Sequence, residues 1–254
     1  MNEIKYIHTA DVHNTAAAEA FIPFLLKVIQ PLSVIDVGCG LGTWLKVFSE
    51  LGIKDIIGID GFNVDVNLLA IPLAVFIEHD LREPINLKRK FDLSLCLEVG
   101  EHLPDNCADN LINLLTSHSD NILFSAALPL QGGQNHINEQ PFGYWVKKFN
   151  DRGFVVRDVF RELIWDNKDI DWWYRQNMLM VTKGDTSTQR KIHDYYHPQQ
   201  ISDTHYEKKY LIEELIALKN YQLEMFAGNI QPYKAFKLYI KSCLKFFRNK
   251  FSAI

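Results

Sequence analysis

Between about residue 15 and residue 183, short apolar runs alternate with longer amphipathic stretches. The short runs, rich in Val, Ile, Leu and Phe, predict strands at Ser33–Val37, Asp55–Asp60, Ala74–His79, Asp92–Leu97, Asn121–Ala127, Phe154–Phe160 and Met178–Lys183. The longer stretches predict helices at Thr15–Ile29, Thr43–Glu50, about Asp105–Thr116 and Phe142–Asp151, with Asn14 placed to cap the first. Strands that alternate with helices in this way pair side by side through crossover connections. The expected class is therefore α/β: a seven-stranded, largely parallel sheet flanked by helices.

The pattern stops after Lys183, where Gly-Asp-Thr-Ser-Thr-Gln-Arg-Lys reads as a linker. The expected organisation is a domain over 1–184, a linker over 185–204 and a helical extension over 205–254. The extension holds one helix at His205–Phe226 and a second segment from Pro232. In the second, Lys234, Lys237, Lys241, Lys245 and Arg248 fall opposite Phe236, Ile240, Cys243 and Phe247, which makes a basic amphipathic helix. Two readings stay open for it: contact with an anionic membrane surface, or packing on the body or on a second copy in a homodimer.

Charge sharpens that division. Residues 231–254 carry six of the 27 basic residues and none of the 31 acidic ones, so 1–230 has a net charge of −10. Nucleic acid is a poor partner for so acidic a body, because neutralisation of phosphate by Lys and Arg dominates such binding. With 47% apolar and 23% charged residues the chain is a globular one. It has no apolar run of the roughly 18 residues a membrane span needs, and its N-terminus lacks a signal-peptide pattern. The expected location is the cytoplasm, at the inner face of the membrane if the basic helix binds there. Cys39, Cys96, Cys107 and Cys243 are scattered, without metal-type spacing, and are expected to be reduced thiols.

The first predicted strand runs directly into Asp36-Val37-Gly38-Cys39-Gly40-Leu41-Gly42, and a helix is expected from Thr43. Glycines in such a turn let backbone approach a ligand at a helix N-terminus. In the dinucleotide fingerprint the third glycine comes three residues after the second, whereas Gly42 comes two after Gly40, which weakens a dehydrogenase reading. The second strand ends in Asp60, 18 residues beyond Gly42 and placed to accept hydrogen bonds from ribose hydroxyls, and the third is followed by Asp80 and Leu81.

At these residues the sequence resembles the class I S-adenosylmethionine (SAM)-dependent methyltransferases, over about residues 30–183. The resemblance implies a Rossmann-like methyltransferase fold with SAM as cofactor. It also implies that Asp36 and Gly38, Gly40 and Gly42 form the loop that holds the methionine portion, that Asp60 binds ribose, and that Asp80, with Leu81 beside it, meets the adenine amino group. A turn with no ligand is the other reading of the three glycines.

After the fourth strand comes Glu98-Val99-Gly100-Glu101-His102. A helical turn beginning at Glu98 would put residues 98, 101 and 102 on one face, and a divalent cation would relieve the repulsion between the two carboxylates. Oxygen and imidazole ligands suit Mg²⁺, Mn²⁺ or Fe²⁺ better than a thiolate-seeking metal, and Mn²⁺ or Mg²⁺ is the ion expected. The segment resembles the metal site of small-RNA 3′-terminal 2′-O-methyltransferases and of O-methyltransferases of ubiquinone synthesis; in the RNA enzymes a further histidine after strand five completes the set, and His136 is the histidine available here. The expected ligands are thus Glu98, Glu101, His102 and His136, and Glu98, His102 and His136 are also the candidate catalytic groups. A metal-free arrangement, with the acids capping a helix and His102 a lone base, remains open.

Asn138, Gln140 and Trp145 follow His136, and Trp173 and Arg175 precede the last strand. Aromatic faces beside amide and guanidinium groups suit a sugar or nucleotide, and these five are the expected substrate residues; a plain cover for the sheet edge, formed by Trp172 and Trp173, is the alternative. The pattern from Gly-Gly-Gln-Asn-His-Ile-Asn-Glu-Gln to Trp-Trp-Tyr-Arg-Gln-Asn resembles methyltransferases that accompany bacterial capsule and surface-polysaccharide enzymes. The expected function is methyl transfer from SAM to a hydroxyl of a nucleotide-sugar or polysaccharide, with a metal ion chelating the acceptor diol. Its alternatives are 2′-O-methylation of an RNA 3′ end and a non-catalytic SAM-binding scaffold for biosynthetic enzymes. His8 and His13 could close over the site.

Overall fold

The computed structural model describes residues 14–61 and 64–200, together with Lys219. Seven strands form one sheet: β1 (Ser33–Val37), β2 (Asp55–Asp60), β3 (Phe76–Glu78), β4 (Leu93–Leu97), β5 (Asn121–Ser125), β6 (Phe154–Arg157) and β7 (Leu179–Lys183). Among the described residues between 14 and 200, six α-helices accompany them: α1 (Ala16–Leu25), α2 (Thr43–Glu50), α3 (Ala108–His118), α4 (Phe142–Asn150), α5 (Arg161–Ile164) and α6 (Trp172–Asn177). The order across the sheet is β3-β2-β1-β4-β5-β7-β6, parallel except for β7, which runs against both β5 and β6. The expected seven-stranded, largely parallel architecture is the one observed.

Each face of the sheet buries its own apolar layer. Helices α1 and α2 pack Phe21, Ile22, Leu45 and Phe48 on one side, while α3 and α4 pack Leu111, Leu115, Trp145 and Phe149 on the other. The central strands are covered on both faces, so β4 is buried at all five positions, as a strand between two helical layers must be.

Several boundaries move for local reasons. Helix α1 stops at Leu25 rather than Ile29: the Lys27 and Val28 amides turn to carbonyls three residues back, at 3.2 and 2.9 Å, just beyond Pro23. Thr15 occupies the cap position of α1, while the Asn14 side chain accepts from the Ala16 amide at 2.9 Å. Strand β3 loses its expected first residues to a 3₁₀ turn, Leu73–Val75, that follows Pro72. Strand β6 ends at Arg157, and the chain bends through Asp158 so that Arg161 bonds back to it at 3.1 Å.

The chain divides into two compact units, Met1–Gln200 and Ile201–Ile254. Residues 185–200, expected as a linker, belong to the first. Gln189 bonds both the amide and the carbonyl of Val156, Arg161 donates to the carbonyls of His193 and Tyr195, and the His197 amide donates to Gln176 at 2.6 Å. Polar composition misled here, because these bonds join side chains on one segment to backbone on the other, a pairing with no periodicity. The expected helices of the extension, including Lys234 to Arg248, lie outside the described residues, as do His8 and His13. No helix among the described residues is long and apolar enough to cross a membrane.

Candidate active site

The carboxyl ends of β1, β2, β4 and β5 open onto one cavity of about 560 Å³, beside the point where the strand order reverses between β1 and β4. Its first wall is the loop after β1. Gly38 and Gly40 take φ of 81° and 53°, a region disfavoured for other residues, and a Cβ at Gly38 would collide with Val99. The Gly38 and Cys39 amides reach the Ile59 carbonyl at the end of β2, at 2.8 and 3.1 Å. Gly42 is not in the wall. It caps α2 at φ 76°, and a Cβ there would stand 2.7 Å from Ile71, so its missing side chain lets the connection between β2 and β3 pack on the start of α2.

Asp60 faces the cavity and also builds it: its Oδ2 accepts the Gly40 amide at 2.6 Å and its Oδ1 the Gly61 amide at 2.7 Å. The carboxylate thus ties the glycine loop to β2, which spacing alone did not indicate. Asp36, beneath the loop, is 3% exposed; burial, and then the Asp60 charge, push its carboxyl up to about 7. Asp80 and Leu81 lie in the wall, but Asp80 is engaged by Arg82, whose Nε donates to both its oxygens at 2.8 and 2.9 Å. That pairing, first through the side-chain hydrogen bonds of Arg82, holds the Asp80 carboxyl below its usual range.

The second wall carries the acidic and imidazole groups. Glu98 does not open a helical turn: it takes φ 54°, and the turn that follows is 3₁₀, Gly100–His102. Its carboxylate, in the same cavity wall, is taken up by two amides, accepting from Asn177 at 3.0 and 3.2 Å and from Gln131 at 2.8 Å. The group close enough to share an ion is therefore Glu101, His102 and His136, with one ligand atom from each lying within 4.8 Å of the others. Glu101 is completely buried, and neither of its carboxylate oxygens has a hydrogen-bond partner. Burial, reinforced by the neighbouring Glu98 charge, pushes the Glu101 carboxyl well above the usual range. A cation would supply what a buried, unpartnered carboxylate lacks, so these residues fit a metal ion.

His136 arrives on the loop Gln131–His136 after β5 and packs edge to face on His102, centroids 4.9 Å apart. Its Nδ1 is bound by Glu139 at 2.9 Å. Burial works against ionisation of Glu139, but bonds from His136, Gly132 and Leu130 outweigh it and keep the carboxyl below its usual range.

Of the expected substrate residues only Trp173 lines the cavity, together with Trp172, Tyr174 and Trp44. Trp145 sits in the core beneath Gly100, where a Cβ would come within 2.6 Å of its ring. Arg175 is buried and donates to the Trp165 carbonyl at 2.9 Å. Asn138 donates to the Gly100 carbonyl and accepts from Gln140 at 2.9 Å, so that pair supports the 3₁₀ turn from behind. Burial in α6 changes along its axis and not around it: Trp172 to Tyr174 in the first turn are half-buried against the cavity, while Arg175 to Asn177 in the second are buried. The sequence placed Glu139 and Asn177 within these two motifs, and Gln131 next to the first, but gave none of them a role, since no spacing singles them out.

A family model described as a methyltransferase domain matches residues 10–178. A ubiquinone biosynthesis O-methyltransferase of Rhodopseudomonas palustris (strain TIE-1) is 31% identical over 85 residues, which is 32% of this chain and 33% of that protein. The match thus spans about a third of that relative's length. Among solved structures, the methyltransferase domain of bacterial CtHen1-C is similar with a TM-score of 0.49 at 20% identity, over 66% of this chain and 98% of that one. Magnesium protoporphyrin IX methyltransferase (ChlM) from Synechocystis PCC 6803, solved with bound SAM, is similar with a TM-score of 0.47 at 18% identity, over 66% and 78%. The family match takes in the glycine loop, Asp60, Asp80 and the Glu101–His102–His136 group, and the chain belongs to the methyltransferase domain family.

Proposed function

We propose that the chain transfers the methyl group of SAM to a hydroxyl of a sugar, in a nucleotide-sugar or a surface or capsular polysaccharide, with a divalent ion, Mn²⁺ or Mg²⁺, at the acceptor. The observation that carries this reading is that a single cavity is lined by the glycine loop and Asp60, by the Glu101–His102–His136 group, and by Trp172 and Trp173. SAM supplies a methyl already electrophilic on its sulfonium. The protein's work is then alignment and activation of the acceptor.

Asp60 offers a carboxylate to the ribose hydroxyls from a position its own bonds to Gly40 and Gly61 keep fixed. Glu101, His102 and His136 would hold the ion, whose chemistry is to lower the pKa of a coordinated hydroxyl. Without an ion, His102 or His136 would instead take the hydroxyl proton as a plain base. The indole faces of Trp172 and Trp173, with Gln131 and Gln134 nearby, offer the apolar face and the amide donors that a pyranose ring requires. An RNA acceptor matches the −10 body less well.

The test is methyl transfer to nucleotide-sugars and to surface glycans, before and after exhaustive chelation. Chelation is expected to abolish transfer while leaving SAM binding nearly intact, and Glu101→Gln to behave as chelated protein does. Full activity without detectable metal would leave a plain histidine base; methylation of RNA ends but not sugars would overturn the acceptor; binding without any turnover would favour a scaffold.

A further inference from the structure

Glu139 lies outside the cavity wall, yet it holds the loop that forms part of it. Its Oε2 accepts the Leu130 amide at 2.7 Å, and its Oε1 accepts the Gly132 amide at 2.7 Å and faces His136 Nδ1 at 2.9 Å. Those bonds close a loop whose backbone is left-handed at two residues with side chains, Leu130 at φ 70° and Asn135 at φ 58°, and at Gly132 at φ 69°. Gly133 shows what the loop is shaped around, since a Cβ there would collide with the His136 ring. An ionised carboxylate only accepts hydrogen bonds. In the neutral ring the proton must therefore sit on Nδ1, and Nε2 is the atom His136 has to offer to Glu101 and His102.

We propose that Glu139 is a positioning residue that fixes the tautomer and the direction of His136, so that a lone pair on Nε2, and not an N–H, is presented to Glu101 and His102. A ring presented with its N–H would repel a cation, whereas a lone pair can ligate one or accept a proton. The consequence for a cation rests on the metal reading above; the tautomer does not.

The experiment is long-range ¹⁵N–¹H correlation of histidine-labelled protein at a pH where the rings are neutral, with His136→Ala assigning the signals. The wild type is expected to carry the ring proton on Nδ1. In Glu139→Gln the amide can no longer accept from the loop amides and from Nδ1 together, and the proton is expected to move to Nε2 in all or part of the population. Titration with Mn²⁺ alone should then show affinity lowered roughly ten- to a hundredfold. A wild-type proton on Nε2 overturns the proposal and needs no variant to fold. An unchanged tautomer in folded Glu139→Gln overturns it as well. A tautomer switch in protein that binds no Mn²⁺ in either form upholds the role of Glu139 and removes the metal reading.

Discussion

Asn177, the last residue of α6, donates its side-chain amide to both oxygens of Glu98, at 3.0 and 3.2 Å, across 79 positions of sequence. The same amide reaches Gln131 at 2.8 Å, so one buried side chain joins the end of β4, the loop after β5 and the start of β7. This junction decides what the Glu98 carboxylate is bonded to, and Glu98 does not join the Glu101–His102–His136 cluster.

Removing the junction is expected to cost stability. Asn177→Leu leaves the Glu98 carboxylate short of a donor and should destabilise by about 1–3 kcal/mol, read from denaturant midpoints. Asn177→Asp should cost more at neutral pH, where two carboxylates would face each other, and the deficit should shrink in acid as the new carboxyl protonates. Equal stability of Asn177→Asp and wild type at pH 7 contradicts the geometry.

Asp60→Ala removes the acceptor of the Gly40 and Gly61 amides as well as the proposed ribose contact. SAM affinity should fall at least tenfold by calorimetry, since each hydrogen bond to a charged group contributes about 1.5–3 kcal/mol. Unchanged affinity would remove Asp60 from the binding wall.

Asp36 makes stability depend on pH in a definite direction. Its carboxyl stands at about 7 in the fold against 3.8 for the free group, so the folded state holds the proton more tightly. The contribution is complete below the unfolded value and is lost as pH rises from there through about 7. Asp36→Asn should therefore gain on the wild type over that interval, by a few kcal/mol as an upper bound, and the two should converge in acid. Parallel stability curves for the two proteins would contradict this.

Gly100 and Trp145 should behave as a coupled pair. Gly100→Ala places a methyl within 2.6 Å of the indole and is expected to destabilise by about 1–3 kcal/mol through overpacking. Adding Trp145→Leu should relieve part of that cost, giving a coupling in a double-mutant cycle that two independent substitutions would not show.

What the sequence by itself determined was everything carried by periodicity and by glycine. Alternation of apolar runs with amphipathic stretches specified seven strands, because each strand must be apolar on both faces where helices cover them, and Gly38 and Gly40 marked the turn because few other residues accept φ of 81° and 53°. Asp60 and Asp80 were legible too, as acids at strand ends. The tertiary structure alone decided how the second wall is used. Glu98, Glu101 and His102 share a helical face only if the backbone there is α-helical, and φ 54° at Glu98, fixed by partners 33 and 79 residues away, breaks that face. Trp145 and Arg175 read as substrate residues because indole and guanidinium suit a sugar, yet each is equally suited to burial; the choice lay with Gly100, whose missing side chain makes room for the one, and with the Trp165 carbonyl, which binds the other. Local pattern records which face of an element is apolar, whereas the direction of a polar side chain depends on a partner that only the folded chain brings near.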